Sequence, residues 1–470
     1  MTVSEILALS LPILVWGLIL TKLSRHRLDP VALFCYCFAF FYLLRDVVIT
    51  LGFDGPYPDI NFLSSQTPGL VSKTSVVLAA FLVAFALAYL LPIPIGRTFV
   101  KLVPVAWTEP TAQRQARLTV ILTVAATVIS MILLARYGSF GGVVRAGKVT
   151  KGLAGSYILR IFPAVGAVVA ASLLLTLWRE RRDTGTARRR LVVLALGAAI
   201  LNAAYVMMWG SRTVVAIVLI ILIAGQWIVG TSAATPKESR QARQGRPRVT
   251  RVLALVGLLL VAVVGLRVVR DNILEGHASS ATQGQSEIRK LSVDTNSTYF
   301  DATLLAVRDW PASQSYRGGE DFVAGFQGIV PRAVWPNKPQ QVLVGQWFRQ
   351  VYQPLARNGW PLGAVGDWYL NFGLFGVLVG GVLSGLLFKW LMAAWWRAAW
   401  CPFTVASMIC VVVFVVPTGI EADTPTRWAQ WALPLLVCAW YLRGRRTTEA
   451  PEGLRELQSD ALGSAPSRPA

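Results

Sequence analysis

Long apolar runs alternate along this chain with short basic connections. A helix needs roughly twenty mostly apolar residues to cross a bilayer. About eleven stretches meet that pattern: residues 4–21, 31–50, 74–92, 118–135, 157–178, 191–209, 212–230, 251–269, 368–388, 401–417 and 427–442. Residues 191–209 and 212–230 are separated only by Gly210-Ser211, and 401–417 and 427–442 are the shortest runs. Residues 6–20 read as the first span rather than as a cleaved signal, because no charged leader and cleavage site accompany them. The pattern predicts an all-α polytopic membrane protein.

Lys and Arg set the orientation. If residues 22–30 face the cytoplasm, alternation also places 93–117, 179–190, 231–250, 389–400 and the tail from Arg443 there. These connections include RERRDTGTARRR, KESRQARQGRPR and RGRR. Residues 51–73, 136–156, 270–366 and 418–426 then face outward, with the N-terminus outside. The predicted units are a transmembrane bundle of about eight helices (1–269), a large extracytoplasmic loop (270–366), about three C-terminal helices (367–446) and a disordered tail (447–470).

Composition agrees with the hydropathy plan. The chain is 54% hydrophobic and 15% charged, against about 25% charged in soluble domains, and its mean hydropathy is +0.54. The net charge of +21 does not indicate a nucleic-acid partner, since it is spread over short connections rather than gathered on one soluble basic domain. Five cysteines lie in or beside apolar runs and read as small apolar residues. No His accompanies them at metal spacing, and P-loop, GxGxxG and HExxH patterns are absent. The reading requires no cofactor and no metal.

One connection is unusual. About ninety-five residues, from Arg270 to Gly366, join two spans, and loops of that length are commonly functional. Trp310, Trp335, Trp347, Trp360, Trp368, Tyr299, Tyr316, Tyr352 and Tyr369 give this region the means to build a small core.

Candidate chemistry collects at the outer ends. Arg45, Arg136, Arg160, Arg212, Arg267, Arg270 and Arg427 lie there. Guanidinium forks suit phosphate oxygens, so the set points to an anionic lipid headgroup. Snorkelling, or pairing such as Arg45 with Asp46, is the structural reading of the same residues. Arg212, in WGSRT, stands out because its neighbourhood is almost wholly apolar. Residues 136–156 are Gly-rich and basic without an acid, as a backbone cradle for phosphate would be. Asp294, Asp301, Asp309, Glu320 and Asp321 are candidate sugar-orienting groups or a general base. Asp367, in GDWYLNFG, is either a helix N-cap or a site group beneath the loop. Glu421 and Asp423 form a second acidic cluster on the same side.

GFQGIVPRAVWPNKP followed by GDWYLNFGLFGVLVGG resembles the signature region of bacterial oligosaccharide repeat-unit polymerases, the Wzy-like O-antigen and exopolysaccharide polymerases. WGSRTVVAIVLIIL is similar to their earlier Gly-x-Arg segment, and Arg136 to Gly147 and Arg317 to Gly328 repeat a spacing found in two of their outer loops. Relatives often carry Glu where Asp367 stands. The resemblance implies a GT-C-like bundle and an inverting, metal-independent glycosyltransferase of the cytoplasmic membrane. It would use undecaprenyl-pyrophosphate-linked oligosaccharides, among membrane lipids, with a chain-length regulator and a flippase as further partners. Arg136, Arg212, Arg267 and Arg270 would hold pyrophosphate. Arg317 and Arg332, with Lys338 in the same loop, would hold the second lipid-linked substrate. Asp367 or Glu320 would be the acceptor base. An O-antigen ligase is the nearest alternative, but its His-to-Gly spacing fails here, where Ile288 stands eleven residues after His277. A flippase or transporter is disfavoured by charges gathered at the outer ends rather than mid-span.

Overall fold

The computed structural model describes residues 3–24, 29–51, 69–92, 111–148, 159–179, 185–209, 213–232, 299–330, 334–339, 343–356, 359–398 and 401–442. The span expected at 251–269, the first part of the long connection and the tail lie outside them. Among the described residues the chain is all-helical, with no strand.

The first half supplies α1 (Val3–Leu18, continued by a wide turn over Ile19–Leu23), α2 (Pro30–Thr50), α3 (Leu70–Leu90), α4 (Ala112–Tyr137), the short α5 (Phe140–Lys148), α6 (Ile161–Arg179), α7 (Thr186–Met208) and α8 (Thr213–Ser232). Their ends follow local chemistry. Asp29 caps α2 by accepting the Ala32 amide at 2.8 Å, with Pro30 in the first helical position. Gly138 closes α4 with φ of 75°, a conformation that glycine adopts without a Cβ penalty.

The second half gives α9 (Tyr299–Asp309), α10 (Glu320–Ile329), α11 (Val344–Tyr352), α12 (Gly363–Ala398), α13 (Pro402–Val415) and α14, a continuous helix over 424–442. Among the described residues, seven helices are long and apolar enough to cross a membrane: Ile6–Leu23, α2, α3, α4, α6, α7 and Gly363–Trp395. The runs expected at 212–230 and 401–417 contain the shorter apolar helices Val214–Ile223 and Pro402–Val415.

α6 sits at the centre, with most of its residues buried, and it reaches that position through small residues such as Ala164, Gly166, Ala167, Ala170 and Ala171. Close approach also governs α3 and α12. Gly381 and Gly385 lie so near the Phe81 and Phe85 carbonyls and Ala84 and Ala88 that neither has room for a Cβ. This is the small-xxx-small packing by which membrane helices gain dispersion contacts. Between α4, α6 and α7, Asn202 donates to Thr123 and Tyr205 to Thr127, while Thr176 donates to Gln115 (2.8, 3.1 and 2.8 Å).

α12 is sharply bent. Gly373 has φ 64° and ψ −151°, a region essentially restricted to glycine. The indole of Trp368 lies against Gly380, although a straight helix would hold the two α-carbons about 18 Å apart. In an unbroken helix the carbonyls of Leu370 and Asn371 would accept from residues 374 and 375. Here they accept instead from the amides of Arg317 (3.2 Å) and Gly318 (3.1 Å). The bend thus exposes two acceptors, and the segment before α10 satisfies them.

The aromatic core expected in the long connection forms in part. Trp310, Phe348 and Trp360 are fully buried; ring centroids lie 5.7 Å apart for Trp310–Phe348 and 6.3 Å for Phe348–Trp360. Trp335 is exposed, and Trp368 belongs to the bend of α12 rather than to this core.

Candidate active site

The ends of α2, α9, α12 and α14 meet around Asp367. Its carboxylate is 2% exposed and stands in the second turn of α12. The helix begins at Gly363, so the N-cap reading does not hold. One oxygen, Oδ2, accepts the amide of Ala422 at 2.9 Å. The other, Oδ1, is buried and has no hydrogen-bond partner among the described residues.

Residues 418–424 are strapped across α12 by side chains. The Thr418 hydroxyl accepts the Ala364 amide at 3.0 Å and donates to Glu421 Oε1 at 2.6 Å. Ser384 accepts the Ile420 amide at 3.0 Å, and the Trp368 indole donates to the Ile420 carbonyl at 2.8 Å. The next turn holds an ion-pair network. Arg427 Nη2 lies 2.8 Å from Glu421 Oε2, and its Nε lies 2.9 Å from Asp423 Oδ2. A single guanidinium therefore serves two carboxylates, and Asp367 is a third close by. Burial raises the Glu421 carboxyl above the ordinary carboxylate range, against the opposing pull of Arg427. The phenol of Tyr299 is pushed far up, first by burial and then by the charge of Glu421.

A second network touches the first through Asn371. Asn371 Nδ2 donates to the Asp367 carbonyl (2.9 Å) and to Asp321 Oδ2 (3.0 Å), while its Oδ1 accepts the Gly319 amide at 3.0 Å. Asp321 pairs with Arg317 at 2.8 Å. Arg317 also reaches Glu320 at 3.1 Å and stacks 3.8 Å from the Trp347 ring centre. Arg317, Glu320 and Asp367 are thus joined through Asp321 and Asn371. Their environments differ: Glu320 is 72% exposed at the end of a side-chain ion pair, whereas Asp367 is enclosed.

The remaining candidates lie elsewhere. Lys338 is buried and donates to the Val330 carbonyl at 3.1 Å. Arg136 is exposed on the last turn of α4, with its guanidinium 5.5 Å from the Tyr137 ring centre. Arg212, Arg267, Arg270 and Arg332 fall outside the described residues. Arg45 pairs not with Asp46 but with Asp301 on α9, at 3.0 Å, with both side chains buried. Asp46 accepts instead from Ser75 at 2.9 Å. Adjacent residues on α2 point to different sides, which explains why sequence adjacency misled.

Asn371, Thr418 and Ser384 were not anticipated. Only Asn371 carried a local signal: it stands four residues after Asp367, hence on the same helical face. Among the described residues no three His, Cys, Asp or Glu side chains converge as a metal ion would require. Beside the acidic turn lies an apolar groove of about 460 Å³, lined by Phe326, Ile329, Leu387, Ile420, Thr424 and Trp428 among others.

Compared with known proteins, the chain matches no family model, and neither the curated proteins nor the solved structures include a significant match.

Proposed function

We propose that this chain is a membrane-embedded glycosyltransferase that joins lipid-linked oligosaccharide repeat units into a polysaccharide such as O-antigen or exopolysaccharide. The observation that carries the reading is the enclosed Asp367 carboxylate, fixed through one oxygen by the Ala422 amide and, among the described residues, unpartnered at the other. A general base requires such a group: held in place, with a lone pair aimed at a proton that the protein does not already supply.

The charge distribution separates two roles. Around Asp367, the carboxylates of Asp367, Glu421 and Asp423 outnumber the guanidinium of Arg427. That guanidinium is already engaged by Glu421 and Asp423 and is not free for a pyrophosphate, whereas a sugar hydroxyl needs no cation. Residues 111–179, by contrast, contain no acid at all and include Arg136, Arg145, Lys148 and Arg160. In this proposal the acceptor hydroxyl sits at Asp367, which takes its proton as oxygen attacks the anomeric carbon. The pyrophosphate leaves toward the basic side, where Arg136 and Arg212, with Arg267 and Arg270, offset its growing charge. Arg317, Arg332 and Lys338 hold the acceptor's lipid-linked end. Between the two carboxyls considered for the base, the enclosure of Asp367 favours it over the solvated Glu320.

The finer architecture belongs to the same proposal: about eleven crossings in a GT-C-like bundle, residues 270–366 on the extracytoplasmic side, and a place in the bacterial cytoplasmic membrane. The substrates are undecaprenyl-pyrophosphate-linked oligosaccharides, and a flippase and a chain-length regulator are the expected partners.

Deletion followed by analysis of surface and lipid-linked glycan tests the reading. Loss of a polymerase leaves single capped repeats and no long chains. Long chains retained on the carrier lipid would instead mark a ligase, and repeats held on the cytoplasmic side a flippase. Arg212→Ala is expected to abolish chain growth at unchanged protein level; normal growth would remove Arg212 from the site.

A further inference from the structure

α10 belongs to the long connection, yet its surface is unsuited to water. Its ten residues, EDFVAGFQGI, sort into two faces. Asp321, Gly325 and Gly328 are buried on one. Val323, Phe326 and Ile329 are exposed on the other, by 58%, 61% and 41%.

The helix cannot turn to hide this apolar stripe. A Cβ at Gly325 would collide with the Ala422 carbonyl, and one at Gly328 with the Thr426 hydroxyl. Thr426 also donates to the Gly325 carbonyl at 2.7 Å. The glycine face is therefore locked to the start of α14, and the orientation of the stripe is fixed with it.

The stripe is continuous with surfaces that face lipid if α12 and α14 cross the membrane. Phe326 and Ile329 line the 460 Å³ groove together with Leu433 and Leu436 of α14 and Leu387 of α12. Leu433, Leu436 and Val437 are exposed farther along α14, and Phe372, Leu374 and Phe375 are exposed at the bend of α12. Phe322 joins the two parts, with its ring centre 4.3 Å from that of Trp368 and 6.1 Å from that of Phe372. Glu320, at the start of α10, is solvated. A helix with one apolar face continuous with spanning helices and a charged start has the layout of an interfacial helix.

We infer that α10 lies within the bilayer leaflet on the side of residues 299–362, and that the groove it forms with α12 and α14 holds one hydrocarbon chain of a bilayer phospholipid. The acid-rich turn at the groove's end bears on which lipid enters. Asp423 keeps 31% of its side chain exposed there, next to Thr424 in the groove wall. An ammonium headgroup complements it better than an anionic one does, so phosphatidylethanolamine is the favoured occupant. The inference rests on the membrane reading of the helices and not on the proposed transferase activity.

The test uses full-length protein in vesicles of phosphatidylethanolamine and phosphatidylglycerol. Cys37, the one native cysteine that is not buried, is changed to Ala, and a nitroxide is placed through Phe326→Cys or, as a solvent-exposed control, Gln314→Cys. Oxygen, which partitions into lipid, is expected to relax the label at 326 more than a water-soluble nickel chelate does, with the reverse order at 314. Nickel access at 326 equal to that at 314 would place α10 in water. A label at 326 reached by neither reagent would mean that protein covers the stripe; either result overturns the inference. Native mass spectrometry then counts retained phospholipid. Wild-type protein is expected to keep one phosphatidylethanolamine that Ala429→Trp, which fills the groove, loses. Equal retention, or retention of phosphatidylglycerol alone, overturns the proposed occupant.

Discussion

The indole of Trp368 rests on Gly380, twelve residues farther along the same helix. That contact exists only because α12 folds back at Gly373, and the fold-back is what holds Asp367 and Asn371 against the acidic turn at 418–423. Everything proposed for the site depends on this bend.

Substitutions at the bend should be costly in proportion to what they meet. At Gly380 a Cβ collides with the Trp368 ring, and overpacking of this kind costs about 1–3 kcal/mol. Gly373→Ala adds a strained backbone, again about 1–3 kcal/mol, and a clash with the Tyr316 hydroxyl. Gly197 on α7 has nothing within 4 Å of its would-be Cβ, so Gly197→Ala should be neutral or gain about 0.5–1 kcal/mol. Thermal unfolding in detergent should rank the three midpoints as Gly197→Ala, then Gly380→Ala, then Gly373→Ala.

Asp367→Asn keeps an oxygen for the Ala422 amide and removes the proposed base. Polymer formation from purified lipid-linked repeats should fall by about 10²–10⁴-fold, with an unchanged elution profile on size exclusion. Glu320→Gln, altering a solvated group, should lower the rate by far less. Equal losses in the two variants would remove the distinction drawn between them.

The Arg45–Asp301 pair ties α2 to α9 with both partners buried. Removing either charge alone breaks a buried ion pair, at a cost of about 3–5 kcal/mol. Arg45→Met combined with Asp301→Leu should recover most of that loss, because an apolar pair carries no desolvation debt. A double-mutant cycle on the unfolding midpoint measures the coupling.

Glu421 sets a direction for pH dependence. Its folded carboxyl titrates above the unfolded value, near 4.3 for an ordinary glutamate, so between the two values the folded state binds more protons than the unfolded one. Stability contributed by this group is complete below the unfolded value and declines as pH rises through the folded one. Glu421→Gln should flatten that part of the pH profile of the thermal midpoint. The groups facing Glu421 are Arg427, Asp423, Asp367, Tyr42 and Tyr299, and all remain in the variant.

Much of the helical plan was legible in the chain alone. Apolar runs give away the spans because hydropathy is a local property. The seven long apolar helices coincide with runs identified at 4–21, 31–50, 74–92, 118–135, 157–178, 191–209 and 368–388. The last of these was read as one span over 368–388, and a glycine inside an apolar run leaves hydropathy unchanged whether or not the helix breaks there. Asp367 was legible as a carboxylate at a span boundary, and Glu421 and Asp423 as acids on the same side.

Only the tertiary structure decided which of these groups meet. The amide of Ala422 reaches Asp367 across 55 residues, and Asn371 reaches Asp321 across 50. Neither pairing leaves a mark on any local window. Arg45 chose Asp301 over its neighbour Asp46 because helical geometry sends consecutive side chains apart, and α9 happens to pack where the guanidinium points. The sequence by itself determined the helices, through the cost of leaving apolar groups and backbone amides unsatisfied in their surroundings. The meeting of charges was decided by close packing of distant segments, where glycines admit backbone and a bent helix offers its freed carbonyls.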